Sequence, residues 1–160
     1  MKRSATILVA VGALAAAGAV AVPVAYAGGG DSGDARRVHL TLIETVDAFH
    51  AIDVPAPPAD GHAGDLITFE STLSQKNKTK VGRLEGSCIQ IRANGTLDDC
   101  SVTVTIGANS FRIAGPFDPV KGGTVTILGG TGRWVGAAGT DTIVNQPDGT
   151  AIHTIDLIRA

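Results

Sequence analysis

The stretch Leu128-Gly-Gly-Thr-Gly-Arg-Trp-Val-Gly-Ala-Ala-Gly-Thr140 is rich in glycine, in a chain whose other segments mostly alternate apolar and polar residues. Glycines around a threonine also occur in phosphate-binding loops, but those loops need a following helix whose N-terminal amides face the phosphate. Here the strand-like residues 141–144 follow, and no Lys-Ser or Lys-Thr pair does. The stretch therefore indicates a tight turn between two strands, where glycine permits positive φ angles and close backbone approach.

Strands separated by short turns are predicted for most of the remaining chain. Turn signals such as Asn94-Gly95 and Gly122-Gly123 punctuate the β-rich segments, and no segment has a sustained helical period. Short connections are typical of an antiparallel barrel or sandwich, and the even strand number favours an all-β, closed eight-stranded antiparallel barrel because closure removes exposed edges. The predicted strands are residues 38–46, 65–73, 81–92, 100–106, 111–117, 124–128, 134–144 and 150–158.

One long irregular segment, residues 47–64, separates the first two predicted strands. Its three prolines exclude a central strand, because proline cannot donate to a β-ladder. A metal site could be drawn from the side chains in and next to this segment, but a solvated loop over one barrel end is the preferred interpretation, and no metal is predicted. The side chains in question are His50, Asp53, His62 and Asp65.

The N-terminal residues 1–27 have the pattern of a signal peptide. Lys2 and Arg3 precede an apolar run, and Ala25-Tyr-Ala27 has the form of a cleavage site, although an uncleaved anchor is the alternative. A flexible leader at 28–37 and a barrel domain at 38–160 are then expected. Removing Lys2 and Arg3 from the 13 basic residues leaves 11 against 15 acidic ones, a net charge of −4. The mature protein is therefore expected to be secreted, without nucleic acid as a partner and without stable membrane insertion after cleavage.

The two cysteines, Cys88 and Cys100, are predicted to form a disulfide, because an even pair at short spacing in an exported chain is typical of one. Two cysteines without a nearby histidine cannot complete a tetrahedral zinc site. A reactive thiol is the less favoured alternative.

A carboxylate interrupts the apolar face of the first strand. Period-two alternation places Glu44 in one row with Val38, Leu40 and Leu42. A carboxylate in such a row raises the energy of the fold unless it is paired or neutral, so it is a candidate for proton or cation chemistry. The structural alternatives are an ion pair with Arg83 or a glutamate at a wet barrel mouth. His153, which shares a face with apolar residues of the last strand, is interpreted as packed or mouth-lining.

Four segments, in chain order, give the sequence a resemblance to the allene oxide cyclase and dirigent-protein barrel superfamily, in its bacterial exported form. The glycine-rich segment is the most specific of them. The segments are Gly64-Asp-Leu-Ile-Thr-Phe69, Val81-Gly-Arg-Leu-Glu-Gly-Ser-Cys88, Ile113-Ala-Gly-Pro-Phe117 and Val125-Thr-Ile-Leu-Gly-Gly-Thr-Gly-Arg-Trp-Val-Gly-Ala-Ala-Gly139.

The resemblance implies an eight-stranded barrel with an apolar interior, assembled as a homotrimer in plant members, and chemistry by steering. The cavity walls select one conformation of a reactive intermediate for ring closure or coupling, without a metal or organic cofactor. Glu44 matches a first-strand glutamate that lies near the substrate in the cyclase branch. Cys88 matches a cavity cysteine of the third strand, although a disulfide with Cys100 would remove it from chemistry.

The functional hypothesis is a secreted isomerase or cyclase for a small, apolar, reactive molecule. Glu44 would stabilise charge or handle a proton, and Arg83 would set its ionisation. The alternatives are a carrier of a lipophilic ligand and a structural envelope protein, which a measured cavity distinguishes from an enzyme. The predicted substrate-binding wall consists of Val38, Leu40, Leu42 and Trp134.

Overall fold

The computed structural model describes residues 36–54, 63–92 and 94–159. The predicted signal peptide, and the predicted leader as far as residue 35, lie outside these residues. Within them, no helix has the length and apolar character needed to span a membrane. The strands are β1 (Arg36–Ile52), β2 (Leu66–Ser74), β3 (Lys80–Gln90), β4 (Asp98–Ile106), β5 (Asn109–Phe117), β6 (Gly123–Gly130), β7 (Ala138–Asn145) and β8 (Ala151–Arg159).

The strands form a closed antiparallel barrel in chain order, because β8 returns to pair with β1. The predicted fold class is therefore confirmed. Alternation of side chains sends one row of each strand inward, and the interior is filled with apolar residues over part of its length. The most deeply buried of these include Leu73, Leu84, Val104, Phe111, Ile155 and Leu157.

The two ends of the barrel differ. We call the end where β1 finishes and β4 begins the open end, and the end where β1 begins and β4 finishes the packed end. At the packed end, Trp134 is only 2 % exposed and packs edge-on against Phe111, with ring centroids 5.5 Å apart. Edge-to-face packing of two large rings adds to the stability gained from burial alone.

The glycine-rich stretch forms the turn that delivers Trp134 to the packed end. β6 finishes at Gly130, and a 3-10 turn spans Gly132–Trp134. A Cβ atom at Gly130 would overlap the Ser110 carbonyl oxygen, so glycine is required for this close approach. The prediction of a turn is confirmed, but β7 begins at Ala138 rather than at Trp134, because Trp134 belongs to the 3-10 turn.

The first strand is longer than predicted. It pairs with β8 from Arg36, so the last two residues of the predicted leader belong to the barrel. It continues to Ile52, so the predicted loop at 47–64 begins later, and His50 lies in the strand. His62 lies outside the described residues, and within those residues no three His, Cys, Asp or Glu side chains are placed to hold a metal.

The predicted disulfide is confirmed: Cys88 of β3 and Cys100 of β4 lie opposite each other in register and are bonded. The disulfide closes a loop between residues 12 positions apart and so restricts the unfolded chain. We therefore expect its reduction to lower the free energy of unfolding by about 3 kcal/mol. The melting temperature should fall by roughly 10 °C, while ligand binding persists. Thermal unfolding with and without reductant measures this. A Cys88→Ala/Cys100→Ala variant is the control, and an unchanged wild-type melting temperature would contradict the prediction.

Candidate active site

A cavity of about 650 Å³ opens at the open end of the barrel. This volume lies within the range of small-molecule sites in proteins. Its wall is largely apolar and contains, among others, Phe49, Ile67, Phe69, Val102, Ile113 and Phe117. Its polar side chains include Glu44, Gln90, Asp98 and His153, and among the described lining residues there is neither a lysine nor an arginine.

A bulge in β1 brings one of these aromatic side chains into the wall. The register between β1 and β2 shifts between Val46 and Ala48, so the alternation changes phase. Before the bulge, odd-numbered residues of β1 such as Thr45 face the outside of the barrel. After the bulge, the odd-numbered Phe49 lines the cavity instead.

None of the four residues of the predicted substrate-binding wall lines the cavity. Leu42 and Trp134 are buried in the core, and Val38 and Leu40 pack against that core nearer the packed end. Alternation correctly placed the three residues of β1 on the inward row. It carries no information about height along the barrel, and these positions lie where side chains fill the interior.

Three buried polar side chains form a network at the floor of the cavity. His153 Nε2 lies 3.0 Å from Glu44 Oε2, and His153 Nδ1 lies 2.7 Å from Asp141 Oδ2. The three residues are 1 %, 9 % and 0 % exposed, in the order His153, Glu44 and Asp141. They stand on the adjacent strands β8, β1 and β7, so the sheet register itself brings them together.

The pKa of His153 is raised to about 9. Burial alone would lower it, but hydrogen bonds to Asp141 and Glu44, together with the charges of both carboxylates, outweigh burial. His153 is therefore an imidazolium at neutral pH, and each ring N–H donates to one carboxylate. Both protons are engaged, which fixes the orientation of the ring.

Glu44 is an ionised carboxylate at neutral pH. Burial would raise its pKa, but the hydrogen bond and charge of His153 more than compensate, so the pKa lies below its ordinary value. The buried Ser71 hydroxyl makes a smaller contribution in the same direction. The network thus joins two carboxyl groups to one imidazolium next to a largely apolar cavity.

Arg83 does not line the cavity that contains Glu44. Arg83 lies on the outer row of β3, where its Nε is 3.1 Å from Glu85 Oε1, and both side chains are about half exposed. The sequence contained the signal for this placement, because Arg83 alternates with Leu84 and therefore belongs to the row opposite the core. The partner of Glu44 is His153.

Asp141 is absent from the predicted site residues, and His153 is predicted only as a packed or mouth-lining side chain. His153 lies on the same face of β8 as Ile155 and Leu157, and this alternation correctly predicts that it points into the barrel. Asp141 had a weaker signal: it alternates with Ile143 on the inward row of β7. Their contact could not be found without the register between β7 and β8.

Cys88 lines the cavity, as the resemblance implies, and so does Cys100. Both are in the disulfide, so neither offers a thiol to a ligand. The disulfide instead forms part of the wall contributed by β3 and β4.

Similar solved structures share this barrel. The chain matches a structure titled pyocyanin demethylase at 22% identity with a TM-score of 0.63, covering 74% of this chain and 99% of the other. A pterocarpan synthase dirigent protein matches at 17% identity with a TM-score of 0.60, covering 78% and 87%. The Diels-Alderase AbmU from Streptomyces koyangensis matches at 22% identity with a TM-score of 0.63, covering 80% and 70%.

These likenesses show the fold alone: the chain shares its barrel with these three structures, and the fold that the resemblance in sequence implied is confirmed. No protein-family model matches the chain, and no curated protein matches it in sequence.

Proposed function

We propose that the protein is a cyclase or isomerase that converts a mainly apolar small molecule inside the barrel. The observation that carries this proposal is the Glu44–His153–Asp141 network at the floor of a largely apolar cavity of about 650 Å³. Solved structures with the same fold include a Diels-Alderase and a pterocarpan synthase, whose names describe ring-forming proteins.

In the proposed mechanism the walls hold the substrate in a folded conformation, so that its reacting atoms are already close together. The Glu44 carboxylate faces the cavity and stabilises positive charge that develops on the substrate, or accepts a proton from it. His153 and Asp141 are positioning residues, because the imidazolium fixes the carboxylate of Glu44 and Asp141 fixes the imidazolium. Exclusion of water strengthens the electrostatic effect of Glu44.

The two non-enzymatic alternatives are less well supported. A structural protein would be expected to have an interior filled with side chains throughout, whereas this barrel contains a cavity of about 650 Å³. A carrier of lipophilic ligands needs only apolar walls. Buried ionic networks generally contribute little to stability compared with apolar packing, so a network exposed to the cavity favours chemistry over carriage.

Export is part of the proposal. The signal-peptide pattern at residues 1–27 supports it, and the disulfide is typical of proteins in oxidising compartments. We therefore propose that the substrate is met outside the cytoplasm.

The proposal is tested by incubating the mature protein with an organic extract of the producer's culture, recording native mass spectra and comparing the chromatographic retention of the released compound. We expect a compound of unchanged mass and altered retention. Glu44→Gln should bind it within a few-fold of wild type but convert it about 100-fold more slowly, since it removes the charge and keeps the shape.

Exposed Glu70 of β2 provides the matched control, since Glu70→Gln removes a charge without touching the cavity. Release of an unaltered compound by the wild type would favour a carrier. Full conversion by Glu44→Gln would exclude Glu44 from the chemistry.

A further inference from the structure

A second buried carboxylate lies in the cavity wall, away from the network at the floor. Asp98 is the first residue of β4, is only 3 % exposed and lines the cavity. In an eight-stranded ring β4 stands opposite β8, which carries His153. The cavity therefore has acidic groups on two opposing walls.

Asp98 lacks the partners that a buried carboxylate normally has. Among the described residues, no group donates a hydrogen bond to its Oδ1, which is fully buried. Its neighbours in register are Gln90 and Phe117, both of which also line the cavity. A buried carboxylate without a partner destabilises a fold, so such a group in a binding cavity points to a ligand that completes it.

The electrostatic surroundings of Asp98 are acidic. Burial and then the charge of Asp118 raise the pKa of Asp98, and no cationic side chain opposes them. Asp118 itself accepts hydrogen bonds from the backbone N–H groups of Val120 and Lys121, so its own carboxylate is satisfied locally. Within the described part of the chain, Asp98 thus differs from Asp118 in having no donor or positively charged group of the protein beside its carboxyl group.

The remaining lining residues do not supply that charge. Among the described lining residues, His153 is the single cationic side chain, and it is already hydrogen-bonded to two carboxyl groups. A cation entering the cavity would meet Asp98 on one wall and the Glu44 carboxylate on the other. An anion would meet no free positive side chain in the described wall.

We propose that the molecule bound in the cavity is an apolar amine or other nitrogen cation whose N–H group donates to the carboxylate of Asp98. This inference rests on the proposed function and adds the class of substrate. The apolar part of the ligand would occupy the space between Asp98 and Glu44. Asp98 would then fix which atoms of the substrate reach the floor.

The test uses three probes of similar size, naphthylmethylamine, naphthylmethanol and naphthoate, titrated into the mature wild-type protein by calorimetry. We expect the amine to bind about tenfold more tightly than the alcohol, and the naphthoate most weakly, because charge-assisted hydrogen bonds are stronger than neutral ones. This comparison needs no variant. Equal binding of amine and alcohol would overturn the inference and leave the proposed function standing, whereas no binding by any probe would count against both.

The assignment to Asp98 is tested with Asp98→Asn, which should weaken the amine about tenfold and leave the alcohol within about twofold. The matched control is Asp99→Asn, because Asp99 is the next residue of β4 and is exposed on the outer row. An amine affinity that falls in Glu44→Gln but not in Asp98→Asn would place the cation at the floor and overturn the assignment.

Discussion

Replacing His153 with leucine is expected to lower the free energy of unfolding by about 3–5 kcal/mol, because two buried carboxylates would lose the cation between them. The side chains of His153, Glu44 and Asp141 are 2 %, 12 % and 0 % exposed, so water would compensate only weakly for the lost imidazolium. Leucine has a similar volume, which leaves the loss of charge compensation as the main effect. Chemical denaturation of the wild type and of His153→Leu measures it.

The chain supplies a matched control in His39. Its Nδ1 lies 2.6 Å from Asp156 Oδ1, but both side chains are 61% exposed. His39→Leu should therefore change stability by less than about 1 kcal/mol. Adding Glu44→Gln and Asp141→Asn to His153→Leu should recover part of the loss by removing the unpaired charges. Equal effects of His153→Leu and His39→Leu would show that the buried network does not stabilise the barrel.

The second large effect is a loss of stability at alkaline pH. Because the pKa of His153 rises on folding, from 6.5 to about 9, its contribution is complete below 6.5 and is lost as pH rises through about 9. Glu44 has the opposite sign: its lowered pKa gives stability above 4.5 that is lost at lower pH. The contribution of the network is therefore greatest between these two ordinary values.

We expect the alkaline loss to amount to roughly 3 kcal/mol, since each pKa unit corresponds to about 1.4 kcal/mol. Denaturant titrations across this range should show it in the wild type and in His39→Leu. In His153→Leu the titrating group is absent, so its stability should be nearly flat between pH 6.5 and about 9. Parallel decline of the wild type and His153→Leu would contradict the assignment.

The sequence was sufficient for the fold because each strand has its own alternating pattern and the turns between them are short. It also identified Glu44 as a buried carboxylate, since an acid in a row with Leu40 and Leu42 stands out without any tertiary information. The alternating pattern does not show at which height along the barrel the packed core ends and the cavity begins. For that reason Leu42 was assigned to a wall that it does not reach.

The partners of Glu44 depended on information of another kind. His153 and Glu44 are 109 positions apart in the chain, and only the closure of β8 onto β1 makes them neighbours. Asp141 likewise meets His153 only through the pairing of β7 with β8, which the sequence alone does not reveal. Arg83 was chosen as the partner because it carries a positive charge. The alternation of side chains along β3 places it on the outside of the barrel, where it pairs with Glu85.

The division of the barrel into a packed end and an open end has a consequence for how such a protein changes over evolutionary time. Residues such as Phe111 and Trp134 secure the fold at one end, whereas substitutions near Asp98 and Phe117 alter the mouth of the cavity at the other. A lineage could therefore acquire new specificities without first accumulating stabilising substitutions. Laboratory libraries confined to the open end should retain a high fraction of folded members.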